Sequence, residues 1–117
     1  MDNARSGVSA LCETDGGRLL VLEREFSVSF LPRFRCRVYE TDFADATDVS
    51  SFASLTNQPF VRVRKTLVDE TTGLSMYEGL AQGPTLKDGT RTLVLVSDGD
   101  DLPLETVRVL LIPTARK

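Results

Sequence analysis

One stretch of this chain occurs twice, and a chain that repeats a turn and the strand after it has few folds open to it. Asp15-Gly16-Gly17-Arg18-Leu19-Leu20-Val21-Leu22 returns as Asp88-Gly89-Thr90-Arg91-Thr92-Leu93-Val94-Leu95, 88 − 15 = 73 positions later. Each copy follows a short run of small and apolar residues (Ser9-Ala10-Leu11, Gly79-Leu80-Ala81) and is followed by charge (Glu23-Arg24, Asp98). A turn feeding an apolar strand, with another strand ahead of it, is a β-hairpin. Two copies predict a repeated sheet unit.

Residues 8–13 alternate small or apolar with polar and predict a first strand. Asp15-Gly16-Gly17 is a tight-turn signal, because glycine takes positive φ at no steric cost. Residues 18–26 predict a second strand, whose apolar centre from Leu19 to Leu22 suits burial on both faces. Residues 33–41 alternate, with Arg33, Arg35, Arg37 and Tyr39 on one face and Phe34, Cys36 and Val38 on the other. The Ser-, Thr- and Asp-rich residues 42–59 predict a long connection, with a helical turn near 49–55 capped by Asp48. Further strands are expected at 60–68, with Arg62 and Arg64 outward, and at 76–82, 91–97 and 105–112. Loops are expected at 27–32, at 69–74 around Gly73, and over the acidic run 98–103.

About seven strands and no amphipathic helix make an all-β chain. Antiparallel meanders of four and then three strands suggest about two blades of a β-propeller-like domain. Two blades cannot close a ring. Residues 1–117 are then one all-β unit of a larger propeller, with repeat units at about 8–68 and 76–112, or the strands form a small sandwich or barrel. Open sheet edges predict oligomerisation or strand exchange.

The chain's 117 residues suffice for one domain. Area scaling gives roughly 6,300 Å² folded against about 18,700 Å² unfolded, enough for a core. A net charge of −3 argues against nucleic acid as a partner. The absence of histidine removes Ser-His-Asp and Cys-His catalysis within the chain, and the commonest zinc ligand. The two cysteines, Cys12 and Cys36, read as small buried hydrophobes or as a disulfide between neighbouring strands. No apolar run approaches 18 residues, so neither a signal peptide nor a membrane span is expected.

An ordered series of segments carries a family resemblance. It comprises Gly-Arg-Leu-Leu-Val-Leu-Glu-Arg from Gly17 to Arg24, Ala46-Thr47-Asp48-Val49-Ser50, the strand from Val63 to Asp69, and Tyr77-Glu78-Gly79-Leu80-Ala81-Gln82-Gly83-Pro84. Leu86-Lys87-Asp88-Gly89 and the run from Leu93 to Asp98 complete it. Over roughly residues 6–112 the chain resembles the C-terminal part of the esterase-like activity of phytase family. The resemblance implies a propeller-like domain of about three hundred residues, of which this chain is the last third. It also implies a periplasmic or secreted setting in bacteria and a phosphate-ester or carboxyl-ester hydrolase.

Several residues are candidates for chemistry. Glu78 stands in a small, apolar segment of an expected inner strand, where a carboxylate is costly unless it meets a cation or an arginine. It is therefore the candidate catalytic and metal-ligating residue, or one half of a structural ion pair. Arg24 suits bidentate capture of phosphate or carboxylate, with Glu23 orienting it; the two are the candidate substrate-binding residues. Asp98, Asp100 and Asp101 cluster in a Gly-containing run, as hard cations such as calcium require, although EF-hand spacing is absent. Glu78, Asp98 and Asp100 are the candidate metal ligands. Arg33, Arg35, Arg37, Arg62 and Arg64 form an expected basic stripe. Two functions follow: metal-assisted hydrolysis of a small anionic or ester substrate by the complete domain, or a non-catalytic β module that binds a ligand or partner.

Overall fold

The computed structural model describes residues 5–27, 33–98 and 106–112. Strands β1 (Arg5–Glu13), β2 (Leu19–Ser27), β3 (Arg33–Asp42) and β4 (Arg64–Gly73) form a four-stranded sheet in that order. Strands β5 (Tyr77–Gln82), β6 (Arg91–Ser97) and β7 (Val107–Ile112) form a three-stranded sheet. All pairings are antiparallel, so each sheet is a meander. No helix occurs among the described residues, and the all-β expectation holds.

The repeat closes its two turns in the same way. Gly17 N–H donates to Thr14 O (2.8 Å) and Thr14 N–H to Arg18 O (2.8 Å). In the second copy Gly89 N–H donates to Leu86 O (2.9 Å) and Leu86 N–H to Thr90 O (2.8 Å). Both glycines have positive φ, 70° and 84°, as three-residue hairpin loops require at their last position. The geometric partner of Gly89 is therefore Gly17, not the Gly16 that the aligned sequences put there. The extra residue of the second copy is absorbed before Leu93, and the strands return to register.

The core lies between the sheets. Leu20, Leu22, Cys36 and Val38 of the first sheet meet Tyr77, Leu93 and Leu95 of the second, all buried. Strand β1 runs beside β5, and β2 also touches it. Polar links tie the sheets at their margins. The Gln82 amide accepts from Asp15 N–H (3.2 Å) and donates to the Asp15 carboxylate, and Arg108 reaches Asp69 at 3.1 Å.

The outer faces differ. That of the first sheet carries ion pairs: Arg37 with Glu70 (2.6 Å) and Glu25 (3.1 Å), and Lys65 with Glu23. That of the second is apolar, with Val96, Val107, Val109 and Leu111 exposed. The chain's surface of 8778 Å² exceeds the roughly 6,300 Å² of a closed monomer of this mass.

Some local expectations are corrected and one holds. β4 starts at Arg64 and continues through Gly73, across the loop expected at 69–74, because β3 offers partners as far as Phe34↔Gly73. The turn expected near 49–55 is present as one turn, closed by Phe52 N–H donating to Val49 O (3.0 Å). Asp48 accepts from Ser50 N–H at 2.9 Å, the contact by which a capping residue satisfies the N–H two positions on. Cys12 and Cys36 are both free. They lie on β1 and β3 with β2 between, about 10 Å apart from strand spacing alone, beyond the reach of a disulfide.

Candidate functional site

Along β2 the side chains of Leu20, Leu22, Arg24 and Phe26 fall on one face. The first two are buried under the second sheet, whereas Arg24 is exposed and Phe26 half-buried. β5 starts only at Tyr77, so the first sheet extends past its cover and leaves a cleft of about 330 Å³. Arg5, Ser6 and Gly7 of β1, Arg24 and Phe26 of β2, Phe34 of β3 and Met76 line it. That volume is at the lower end of the range for small-molecule sites.

Register explains the lining. Arg5 pairs with Phe26, Phe26 with Phe34, and Gly7 with Arg24, so the three strands present these residues side by side on one face. The Phe26 and Phe34 ring centroids are 5.0 Å apart. At Gly7 an added Cβ would meet nothing within 4 Å, so the missing side chain leaves the cleft open beside Arg24.

Arg24 Nη1 lies 3.9 Å from Glu78 Oε1 and 2.7 Å from the Met76 sulfur. Both charged side chains remain nearly half exposed (45% and 41%), so the pair is loose and contributes about 1 kcal/mol at most. A guanidinium has five N–H donors, and this arrangement leaves Arg24 donors for a ligand. Arg5 has no ion-pair partner among the described residues. The Arg24 charge also reaches the interior. Burial pushes the Cys36 thiol pKa up, while a hydrogen bond from the Tyr77 backbone and then Arg24 act to lower it.

Glu78 owes its position to a β-bulge. Tyr77 pairs with Ser97 and Gly79 with Val96, so Glu78 is the extra residue. A bulge bends its strand and re-aims the side chain, here to the edge of the core beside Arg24. Glu23 is elsewhere. As the neighbour of Arg24 it points to the opposite face of β2 and pairs with Lys65, whose ammonium sits 4.5 Å from the Tyr39 ring centroid. The candidate pair Glu23 and Arg24 is thus separated, while Glu78 and Arg24 are brought together.

Asp98 follows β6 and is exposed, and Asp100 lies outside the described residues. Among the described residues no three Cys, Asp or Glu groups converge as metal ligands do. Calcium takes six to eight oxygens, and the nearby guanidinium opposes a cation at Glu78. The described residues therefore do not assemble a calcium shell. The expected basic stripe is also divided. Arg37 is held by Glu70 and Glu25, Arg64 by Asp42 and Asp45 (2.7 Å each), and Arg62 lies before β4, 6.0 Å from the Phe60 ring centroid.

Sequence reasoning missed Arg5, Phe26, Phe34 and Met76. Arg5 precedes the strand expected at 8–13, so local pattern gives it no place in the sheet. The Phe26–Phe34 pairing is legible in the sequence, because the two residues are equidistant from Phe30, midway between β2 and β3.

Fold and cleft define an all-β chain of two packed meanders with a cationic, partly aromatic cleft at the margin of their interface. Residues 1–101 match the Phytase-like family, described as esterase-like activity of phytase, and the chain belongs to that family. A search of curated proteins and one of solved structures each returned no match. Strand β7 lies beyond the matched residues.

Proposed function

We propose that this chain forms two adjacent sheets of a propeller-like ester-hydrolase domain and supplies its anion-holding site, with Arg24 gripping the acidic group of the substrate. The observation that carries this is the position of the Arg24 guanidinium, half exposed at the mouth of the cleft with only a loose carboxylate partner. Arg5 adds a second positive charge on the same lining. The two meanders begin on neighbouring strands, β1 and β5, and run outward from there, which supports the propeller-like reading.

In this reading Arg24 neutralises the phosphate or the developing oxyanion of a carboxyl ester, the largest single contribution in such chemistry. Glu78 is the carboxylate nearest the bound group. It accepts a proton from the attacking water as the new bond to phosphorus or carbonyl carbon forms, then returns one to the leaving oxygen. No step passes through a metal. Calcium at the Asp98 and Asp100 run is a separate proposal: Ca²⁺ should raise the thermal midpoint, and Asp98→Asn should remove the rise.

The test is hydrolysis of p-nitrophenyl phosphate and p-nitrophenyl acetate by the wild type, Arg24→Gln and Glu78→Gln. Arg24→Gln should raise KM and lower kcat/KM, whereas Glu78→Gln should lower kcat without raising KM. The second reading, a non-catalytic binding module, is favoured by the absence of histidine from the chain. It predicts anion binding that depends on Arg24 with no turnover in any variant.

A further inference from the structure

We propose that the ligand of the cleft is an anion carried on a flat apolar body, such as an aryl phosphate, and not a compact hydrated anion alone. This rests on the anion-holding role of Arg24 and adds the chemistry of the rest of the molecule. The lining of the cleft has two chemistries. Arg24 and Arg5 contribute guanidinium groups, while Phe26, Phe34 and the Met76 thioether contribute apolar surface next to them.

A site shaped for a polyanion alone would surround it with donors. Here Phe26, Phe34 and Met76, half-exposed beside the arginines, favour an apolar group able to displace water from them. The Phe26 and Phe34 rings are tilted by 34° at 5.0 Å, which offers a third ring both an edge and a face. Methionine sulfur also packs well on aromatic rings. A guanidinium can bind the anion through its N–H edge while stacking its plane on an attached ring. Gly7 opposite Arg24 leaves room for a ring beside the anion, since nothing lies within 4 Å of an added Cβ there.

The test is calorimetric titration of the whole chain with inorganic phosphate, methyl phosphate and phenyl phosphate at one pH and ionic strength. Phenyl phosphate should bind about tenfold more tightly than methyl phosphate, equivalent to about 1.4 kcal/mol. Phe34→Ala should bring that ratio close to one by weakening phenyl phosphate more than methyl phosphate. Gly7→Val, which keeps both arginines and both rings, should weaken phenyl phosphate about tenfold by filling the space for the ring. Equal affinities for the two esters in the wild type would overturn the inference while leaving the role of Arg24 intact. A phenyl preference that survives both variants would also overturn it, because the ring would then lie elsewhere. Binding of none of the three would remove the anion site itself.

Discussion

Arg24 and Glu78 meet 3.9 Å apart where β2 passes β5, so one carboxylate both tempers the guanidinium and stands closest to anything it binds. The same contact gives opposite effects on binding and turnover. Removing the Glu78 charge should strengthen phosphate binding about fivefold, the equivalent of roughly 1 kcal/mol for unit charges at this distance in water-like surroundings, and should slow hydrolysis. Phosphate titration and p-nitrophenyl phosphate turnover of Glu78→Gln measure the two arms. Weaker phosphate binding in that variant would mean that Glu78 helps to hold the anion.

The two hairpin turns predict a sharp contrast among their glycines. Gly17 and Gly89 have positive φ and Gly16 does not. Alanine at either of the first two should cost about 1–2 kcal/mol, the penalty for placing a Cβ in the left-handed region. Gly16→Ala should stay within about 0.5 kcal/mol of wild type, as is usual for surface substitutions. Urea unfolding of the three variants decides it, and equal costs at Gly16 and Gly17 would contradict the turn geometry.

Acid should destabilise the fold through carboxylates whose pKa values are lowered on folding. Backbone N–H groups of Ala44, Ser50 and Thr90 hold Asp42, Asp48 and Asp88 below the usual aspartate range, and the Arg37 hydrogen bond does the same for Glu70. A depressed folded pKa gives stability that is present above the unfolded value and lost as pH falls through the folded one. The thermal midpoint should therefore be level above about pH 5 and decline below about pH 4, starting near the ordinary carboxylate values. Glu70→Gln should shallow that decline; an unchanged acid limb would show that the Arg37 pair contributes nothing to it.

The apolar outer face of the second sheet should drive association of the isolated chain. Val107, Val109 and Leu111 are 69%, 56% and 63% exposed on β7, an edge strand whose pairing with β6 is free of bulges and whose only charged residue, Arg108, pairs with Asp69. An edge of the other sheet, β4, has both protective features, with Arg64, Lys65 and Glu70 along it and a bulge where it pairs with β3. Natural sheets guard their edges in this way, and β7 is unguarded. Val109→Lys should lower the sedimentation-average mass at fixed protein concentration and leave the unfolding midpoint within about 0.5 kcal/mol. An unchanged mass would remove this face from the association.

Much of the architecture was legible because it depends on local pattern. The repeat announced two hairpins, and the alternation of Arg33 to Val38 gave the face of β3 that enters the core. The continuous apolar run at Leu19 to Leu22 marked the strand most covered by its neighbours. What escaped depends on partners far away in sequence. The continuation of β4 through Gly73 follows from the length of β3, and local composition around Gly73 points to a loop instead. The site shows the same division. Arg24 and Glu78 stood out as charges beside apolar runs, but the period-two geometry that separates Glu23 from Arg24 and the bulge that turns Glu78 toward Arg24 are properties of the assembled sheets.

The most direct test is titration of inorganic phosphate into the wild type and Arg24→Gln at constant ionic strength, followed by calorimetry, with circular dichroism to verify the fold of the variant. Saturable binding in the wild type that weakens at least tenfold in Arg24→Gln, a loss of about 1.4 kcal/mol, is the predicted result. Equal affinity in the two proteins would contradict an anion site at Arg24, and with it the ester-hydrolase role proposed for this cleft.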